Sequence, residues 1–158
     1  MTLRDELTGL LNRRAFDEEL AGFAREQATR PFALLLMDMD GLKRINDTGG
    51  HLAGDRALRQ AAEAIRDSLR DGDLAFRLGG DEFAMLLAGA SAADAVQVAS
   101  RIQAALTRLS AGRLTISGGI SFGGFREFDE DELYRRADRA TYRAKGFGGG
   151  RTELSAAA

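Results

Sequence analysis

Four carboxylates stand at two sharp reversals of this chain. Asp38 and Asp40 close an apolar run from Phe32 to Met37, and Asp81 and Glu82 follow a Gly79–Gly80 pair. Acids brought together repel one another, so gathering them is costly unless a cation neutralises the cluster. Oxygen ligands of this kind favour Mg²⁺ or Mn²⁺, and Mg²⁺ is usually held by one or two carboxylates plus substrate phosphates. Composition alone leaves a plainer alternative open, in which Asp38 and Asp40 solvate a strand end while Asp81 and Glu82 decorate a turn. Lys43 follows in the loop leaving the same strand, where an ammonium and backbone N–H groups can face a triphosphate. A lysine there is otherwise ordinary solvent-facing surface. Asn46 and Asp55 flank Gly50–His51–Leu52–Ala53–Gly54. An amide and a carboxylate can together read a guanine edge, whose N1–H and N2–H₂ donors suit a carboxylate; equally, the two are a helix cap and an acid in a helix's first turn. His51, the only histidine, either touches a ligand or caps backbone groups.

These residues need a scaffold, and 158 residues suffice for one domain, spanning 1–158, with its own core. Apolar residues make up 44% and charged residues 29%, the range of folded globular chains. With no cysteine, disulfides, thiolate zinc sites and cysteine nucleophiles are excluded. The net charge of -2 offers no broad positive field for nucleic acid, so small ligands are favoured over polymers. Of the 22 basic residues only Lys43 and Lys145 are lysines. The apolar run at Phe32 is far too short to span a membrane, and the opening residues lack the blocks of a secretory signal, so the expected place is the cytoplasm.

Periodicity predicts a helix over Arg13–Ala28 capped by Asn12, a strand over Phe32–Asp38 buried on both faces, and one helical turn over Leu42–Asp47. A long helix follows over Leu52–Leu69, ended by Gly72. Leu74–Leu78 and Glu82–Leu87 then form a hairpin around Gly79–Gly80–Asp81. Ser91 caps a helix reaching Leu109, with Val96, Ala99, Ile102 and Leu106 facing inward. A strand over Leu114–Ser121, a helix over Asp131–Lys145, a short strand around Arg151–Leu154 and a frayed tail over 155–158 complete the chain. Helices interleaved with strands, plus one antiparallel hairpin, predict an α/β (α+β) fold with a mixed central sheet and a βαββαβ core.

The residues also carry a resemblance. Gly79–Gly80–Asp81–Glu82–Phe83 is the signature of the GGDEF domain of bacterial diguanylate cyclases. Collinear with it stand Asp5–Glu6–Leu7–Thr8–Gly9–Leu10–Leu11–Asn12–Arg13–Arg14, Asp38–Met39–Asp40–Gly41–Leu42–Lys43–Arg44–Ile45–Asn46–Asp47 and Gly50–His51–Leu52–Ala53–Gly54–Asp55. Thr115–Ile116–Ser117–Gly118–Gly119–Ile120 and the run Ala137–Lys145 follow. The chain resembles that family over essentially its whole length.

The resemblance implies a palm-like nucleotidyl cyclase core and condensation of two GTP into cyclic di-GMP with release of two pyrophosphates. It implies two Mg²⁺ or Mn²⁺ ions per site, held by Asp38, Asp81 and the Met39 carbonyl. Asp81 would take the proton of the ribose 3'-hydroxyl with Glu82 beside it, and Lys43 would stabilise phosphate charge. Asn46, His51 and Asp55 would hold the nucleotide, with Lys145 and Arg151 on the triphosphate. An arginine usually follows that lysine closely, whereas here Gly146–Phe147–Gly148–Gly149–Gly150 intervenes before Arg151. Arg70 and Asp73 match the RxxD motif of an inhibitory product site, which Arg101 completes. Each copy presents one GTP, so catalysis implies a homodimer, driven by an upstream sensory domain that this chain lacks. A regulatory module binding GTP or cyclic di-GMP without turnover is the alternative.

Overall fold

A computed structural model of the chain describes residues 2–25, 30–124 and 129–156. The elements are α1 (Arg13–Arg25), β1 (Phe32–Met39), α2 (Leu42–Gly49), α3 (His51–Ser68), β2 (Leu74–Gly79), β3 (Glu82–Ala88), α4 (Ala92–Leu109), β4 (Ile116–Gly123), α5 (Glu130–Gly146) and β5 (Thr152–Leu154). The strands form one sheet in the order β2-β3-β1-β4-β5. β1 is central and antiparallel to both β3 and β4, and β5 runs parallel to β4, so the sheet is mixed as expected.

The continuous apolar run of β1 is explained by helices on both faces. Ala33, Leu35, Met37 and Met39 join the core under α3 and α4. Phe32, Leu34 and Leu36 point the other way, into the core shared with α1 and α5. The alternation then places Asp38 and Asp40 on the α5 side of the sheet. Glu82 falls on the same side, in step with Ala84 and Leu86 of β3.

Gly119 decides how closely α5 approaches. A methyl group there would lie 2.1 Å from the Ala137 carbonyl and 2.4 Å from the Thr141 nitrogen. Its absence lets α5 rest on β4, fastened by the Ser121 hydroxyl donating to the Leu133 carbonyl at 2.8 Å.

Several boundaries differ from expectation. The Leu42–Asp47 turn is a full helix of eight residues. α3 stops at Ser68, before Leu69 and well before Gly72, because Leu69 is already extended (φ -86°, ψ 153°). Val96 is 40% exposed. The inward stripe of α4 is instead Ala95, Val98, Ala99, Ile102, Ala105 and Leu106, small alanines doing the packing that Val96 was expected to do. β4 begins at Ile116, two residues beyond Leu114. Asn12 does cap α1, its Oδ1 accepting the Ala15 N–H at 3.0 Å. The predicted end of α1 at Ala28 falls outside the described residues, as do 157 and 158 of the tail, whereas Ser155 still donates its N–H to the Ile120 carbonyl at 2.7 Å. Among the described residues no helix is long and apolar enough to cross a membrane.

Candidate active site

The strand end and the hairpin tip are stitched together by backbone. Asp38 lies opposite Glu82 in the β1–β3 register, and the Met39 N–H donates to the Asp81 carbonyl at 3.1 Å. The four carboxylates nevertheless divide into two kinds. Among the described residues nothing donates a hydrogen bond to the side chains of Asp38 or Asp81. Burial raises the pKa of Asp38, and the nearby charges of Asp81, Glu82 and Asp138 add to it against the relief from Lys145, for a value of about 7. An acid so disfavoured as an anion, beside a second acid without donors, fits a site completed by a cation. No group of three or more acids or histidines among the described residues is arranged to hold a metal by itself.

Asp40 is the opposite case. Its carboxylate accepts from the hydroxyls of Thr115 and Ser117, both at 2.7 Å, from the Gly150 N–H at 2.9 Å and from the Lys145 ammonium at 3.3 Å. Burial alone would raise its pKa, but these donors together bring it below the ordinary value. The expectation that Asp40 joins a four-acid cation cluster is therefore corrected: its oxygens are occupied in joining β1, β4 and the glycine loop. Glu82 is engaged too, accepting a hydrogen bond from the Tyr134 hydroxyl of α5. Burial and this acid hold the Tyr134 phenol above its usual pKa, so it serves as a donor.

α5 runs beside this row of acids. Tyr134, Asp138, Thr141 and Lys145 recur at helical spacing, with Tyr134 on Glu82 and Lys145 on Asp40. Lys145 also donates to the Met39 carbonyl at 3.2 Å, the oxygen expected to face a metal. Gly148, Gly149 and Gly150 all have positive φ. A side chain at Gly149 would come within 2.9 Å of the Asp40 carboxylate. Only glycine lets this loop fold tightly over Asp40. Arg151 emerges beyond it with its guanidinium 4.7 Å from the Phe147 ring centre and 2.9 Å from Glu153. Its guanidinium is thus engaged by Phe147 and Glu153, whereas Lys145 contacts Met39 and Asp40.

The expected nucleotide-binding residues sit on α2 and α3. Lys43 is exposed in the first turn of α2 and His51 is exposed at the start of α3, neither with a hydrogen-bond or ion-pair partner among the described residues. Asn46 lies against Gly54, where an added methyl would fall 1.8 Å from Asn46 Oδ1. The lack of a side chain at Gly54 therefore lets Asn46 of α2 approach α3 closely, one residue before Asp55.

On the far end of α3, the Asp73 carboxylate accepts the Arg70 N–H at 3.0 Å and the Arg101 guanidinium donates to the Ser68 carbonyl at 2.8 Å. Arg70 and Asp73 thus share the α3–β2 turn, with Asp73 folded back on its own loop, while Arg101 of α4 reaches the end of α3 at Ser68. Arg77, which the sequence reading passed over, donates to the Gly80 carbonyl at 3.1 and 2.8 Å and to both Asp5 oxygens at 3.1 and 3.3 Å. It ties the N-terminal turn to the acidic hairpin. Its place two residues before the Gly–Gly pair was the available signal. Tyr134 was missed as well, although its spacing from Lys145 was visible.

Comparisons with known proteins identify the family. The family model for "Diguanylate cyclase, GGDEF domain" matches residues 2–151. The chain is 40% identical over 162 residues to the diguanylate cyclase DosC of Escherichia coli (strain K12), covering 95% of this chain and 34% of that protein. The chain spans about a third of the length of the curated relatives it matches. A solved microbial GGDEF domain, studied for its interaction with bis-(3',5')-cyclic di-GMP, aligns with TM-score 0.86 at 38% identity, over 98% of this chain and 100% of that one. The diguanylate cyclase SiaD of Pseudomonas aeruginosa, solved with its activator SiaC, aligns with TM-score 0.90 at 33% identity, over 98% of this chain and 62% of that one. With its acidic hairpin, strand-end aspartates and collinear motifs matched from residue 2 to 151, this chain belongs to the GGDEF domain family.

Proposed function

We propose that residues 1–158 form the catalytic domain of a diguanylate cyclase, condensing two GTP into cyclic di-GMP and two pyrophosphates in the cytoplasm. The observation that carries this reading is the Asp38–Asp81 pair: two neighbouring acids without donors, one held near pKa 7, where Asp40 just past the end of the same strand is fully engaged. Divalent ions, two Mg²⁺ or Mn²⁺, would be held by Asp38, Asp81 and the Met39 carbonyl; when bound they supply Lewis acidity toward the ribose hydroxyl and the phosphates. Lys145 then leaves Met39 for the triphosphate, alongside Lys43, which offsets charge developing on the phosphoryl oxygens. Asn46 and Asp55 hold the guanine edge and His51 the nucleotide. Adenine presents an acceptor at N1 where guanine presents a donor, so Asp55 selects GTP over ATP.

The reaction joins the 3'-oxygen of one nucleotide to the α-phosphorus of the other. The bond from that phosphorus to the pyrophosphate oxygen breaks, and the hydroxyl proton passes to Asp81, flanked by Glu82. The same step in the opposite sense closes the ring. Each copy orients one nucleotide, so two domains meet face to face in a homodimer, which an upstream sensory domain would control. Cyclic di-GMP then returns to Arg70, Asp73 and Arg101, where guanidinium and carboxylate groups suit its phosphates and guanine edges.

Incubating concentrated protein with GTP and Mg²⁺ and resolving the products tests the reading. Cyclic di-GMP with two equivalents of pyrophosphate is expected, and chelation of the metal abolishes both. Binding of GTP or cyclic di-GMP without turnover would favour the second reading, a regulatory module, to which the engagement of Arg151 by Phe147 and Glu153 lends weight.

A further inference from the structure

Asp38 and Glu82 are register partners on one face of the sheet, so an unrestrained Glu82 has the reach to crowd the same cation as Asp38 and Asp81. What restrains it is on α5. The half-buried Tyr134 donates its hydroxyl to Glu82 Oε1. The ring itself is fixed from the other side, with the Arg13 guanidinium 5.6 Å from its centre. It also forms part of the wall of a cleft of about 710 Å³ shared with Phe16, Leu20 and Asp129. Close packing of α5 at Gly119 sets the helix height at which the phenol meets the acid.

We propose that Tyr134 is a positioning residue: its phenol holds Glu82 toward α5 and keeps it out of the cation's ligand set, so that the ion meets Asp38 and Asp81 and retains positions for substrate oxygens. A carboxylate released onto the ion tightens its binding while filling a place that phosphate needs. Tyr134 thus trades affinity for the bare ion against affinity for the ion with nucleotide. This rests on reading Asp38 and Asp81 as the cation-holding pair.

Mn²⁺ titration of the nucleotide-free protein, followed by the paramagnetic signal of the free ion, tests the idea without turnover. Tyr134→Phe keeps the ring and removes only the donor. It is expected to bind Mn²⁺ more tightly than the starting protein by roughly 3- to 10-fold, the scale of one released hydrogen bond. The gain should vanish when Glu82→Gln is the background, since the amide no longer offers an anionic ligand. Packing loss alone predicts neither the tightening nor its dependence on Glu82, and thermal melts of each variant confirm that it is folded. Equal Mn²⁺ binding by the two proteins, including no binding by either, overturns the proposal, as does a gain that persists with Gln at position 82. Absence of cyclic di-GMP formation alongside the expected Mn²⁺ shift would overturn the proposed reaction and leave this assignment standing.

Discussion

Asp38 and Asp40 are the same residue type, two positions apart on one side of the sheet, Asp38 within β1 and Asp40 just past its end, and both are partly buried. Their ionisation moves in opposite directions: Asp38 is pushed up to about 7, whereas Asp40 is held below its ordinary value. Burial opposes the charge in both. The difference is the supply of donors, because Asp40 receives two hydroxyls, a backbone N–H and an ammonium while Asp38 faces other acids. One is an acid waiting for an external cation, and the other is a joint in the scaffold. A carboxylate's role is thus set by what its neighbours offer, and two positions along the chain suffice to reverse it.

The largest effect should come from breaking the waiting pair. Asp81→Asn or Asp38→Asn is expected to lower cyclic di-GMP formation by about 10³-fold or more, the scale of losing a group that stabilises transition-state charge, with no loss of folded stability in melts. A variant retaining activity within tenfold would show that the two acids are not where the reaction happens. Next comes the platform on which both aspartates depend. Gly119→Ala forces a methyl into the Ala137 carbonyl, and α5 must lift with Tyr134 and Lys145 attached. A loss of roughly 3 kcal/mol or more is expected in denaturant melts, as for other overpacked cores. Asp40→Ala should cost about 2 to 3 kcal/mol, since it strands several donors of a charge-assisted network. An Asp40 variant as stable as the parent would erase the contrast with Asp38.

Much of this was legible before any coordinates. The uninterrupted apolar run ending at Asp38 announces a central strand covered on both faces, and the Gly79–Gly80 pair announces the hairpin that carries Asp81. The motifs, taken in order, announced the family. The division of labour among the acids was not legible, because the donors to Asp40 come from Thr115, Ser117 and Gly150, remote in the chain and united only by β4 and the glycine loop. Val96 misled because in α4 alanine fills the inward stripe, and an alanine-rich helix carries a weak pattern. Tyr134 on Glu82 required knowing how close α5 lies to the sheet, which Gly119 controls and no periodicity reveals.

The same contrast predicts a pH signature. Asp38 has a folded pKa of about 7 against the 3.8 of an unperturbed aspartate. Between those values the unfolded chain has released a proton that the folded protein keeps, so metal-free stability falls as pH rises through the window. Asp40, with its lowered pKa, contributes stability above its unfolded value that is lost only on acidification. Metal-free melts between about pH 4.5 and 7.5 should therefore lose roughly 1 to 2 kcal/mol, discounted for partial solvent screening. Asp38→Asn should flatten that slope, while Mg²⁺ should offset it near neutral pH. A slope unchanged by Asp38→Asn would assign it to another group.

The smallest effect belongs to Arg151, and it extends the comparison to cations. Lys145 reaches the acids directly, at 3.2 Å from the Met39 carbonyl and 3.3 Å from Asp40. Arg151 follows the Gly150 anchor and rests on the exposed Phe147 and on Glu153. An exposed ion pair with a cation–π contact is worth about 1 kcal/mol or less. Arg151→Ala should accordingly shift stability by less than that and change the KM for GTP by less than roughly threefold, while Lys145→Ala raises it by about tenfold or more. The two arms decide where the extra glycines have sent the second cation. Equal increases in KM for the two variants would mean that the guanidinium abandons Phe147 once a triphosphate is bound, and that the long loop acts as a flexible tether rather than a fixed turn.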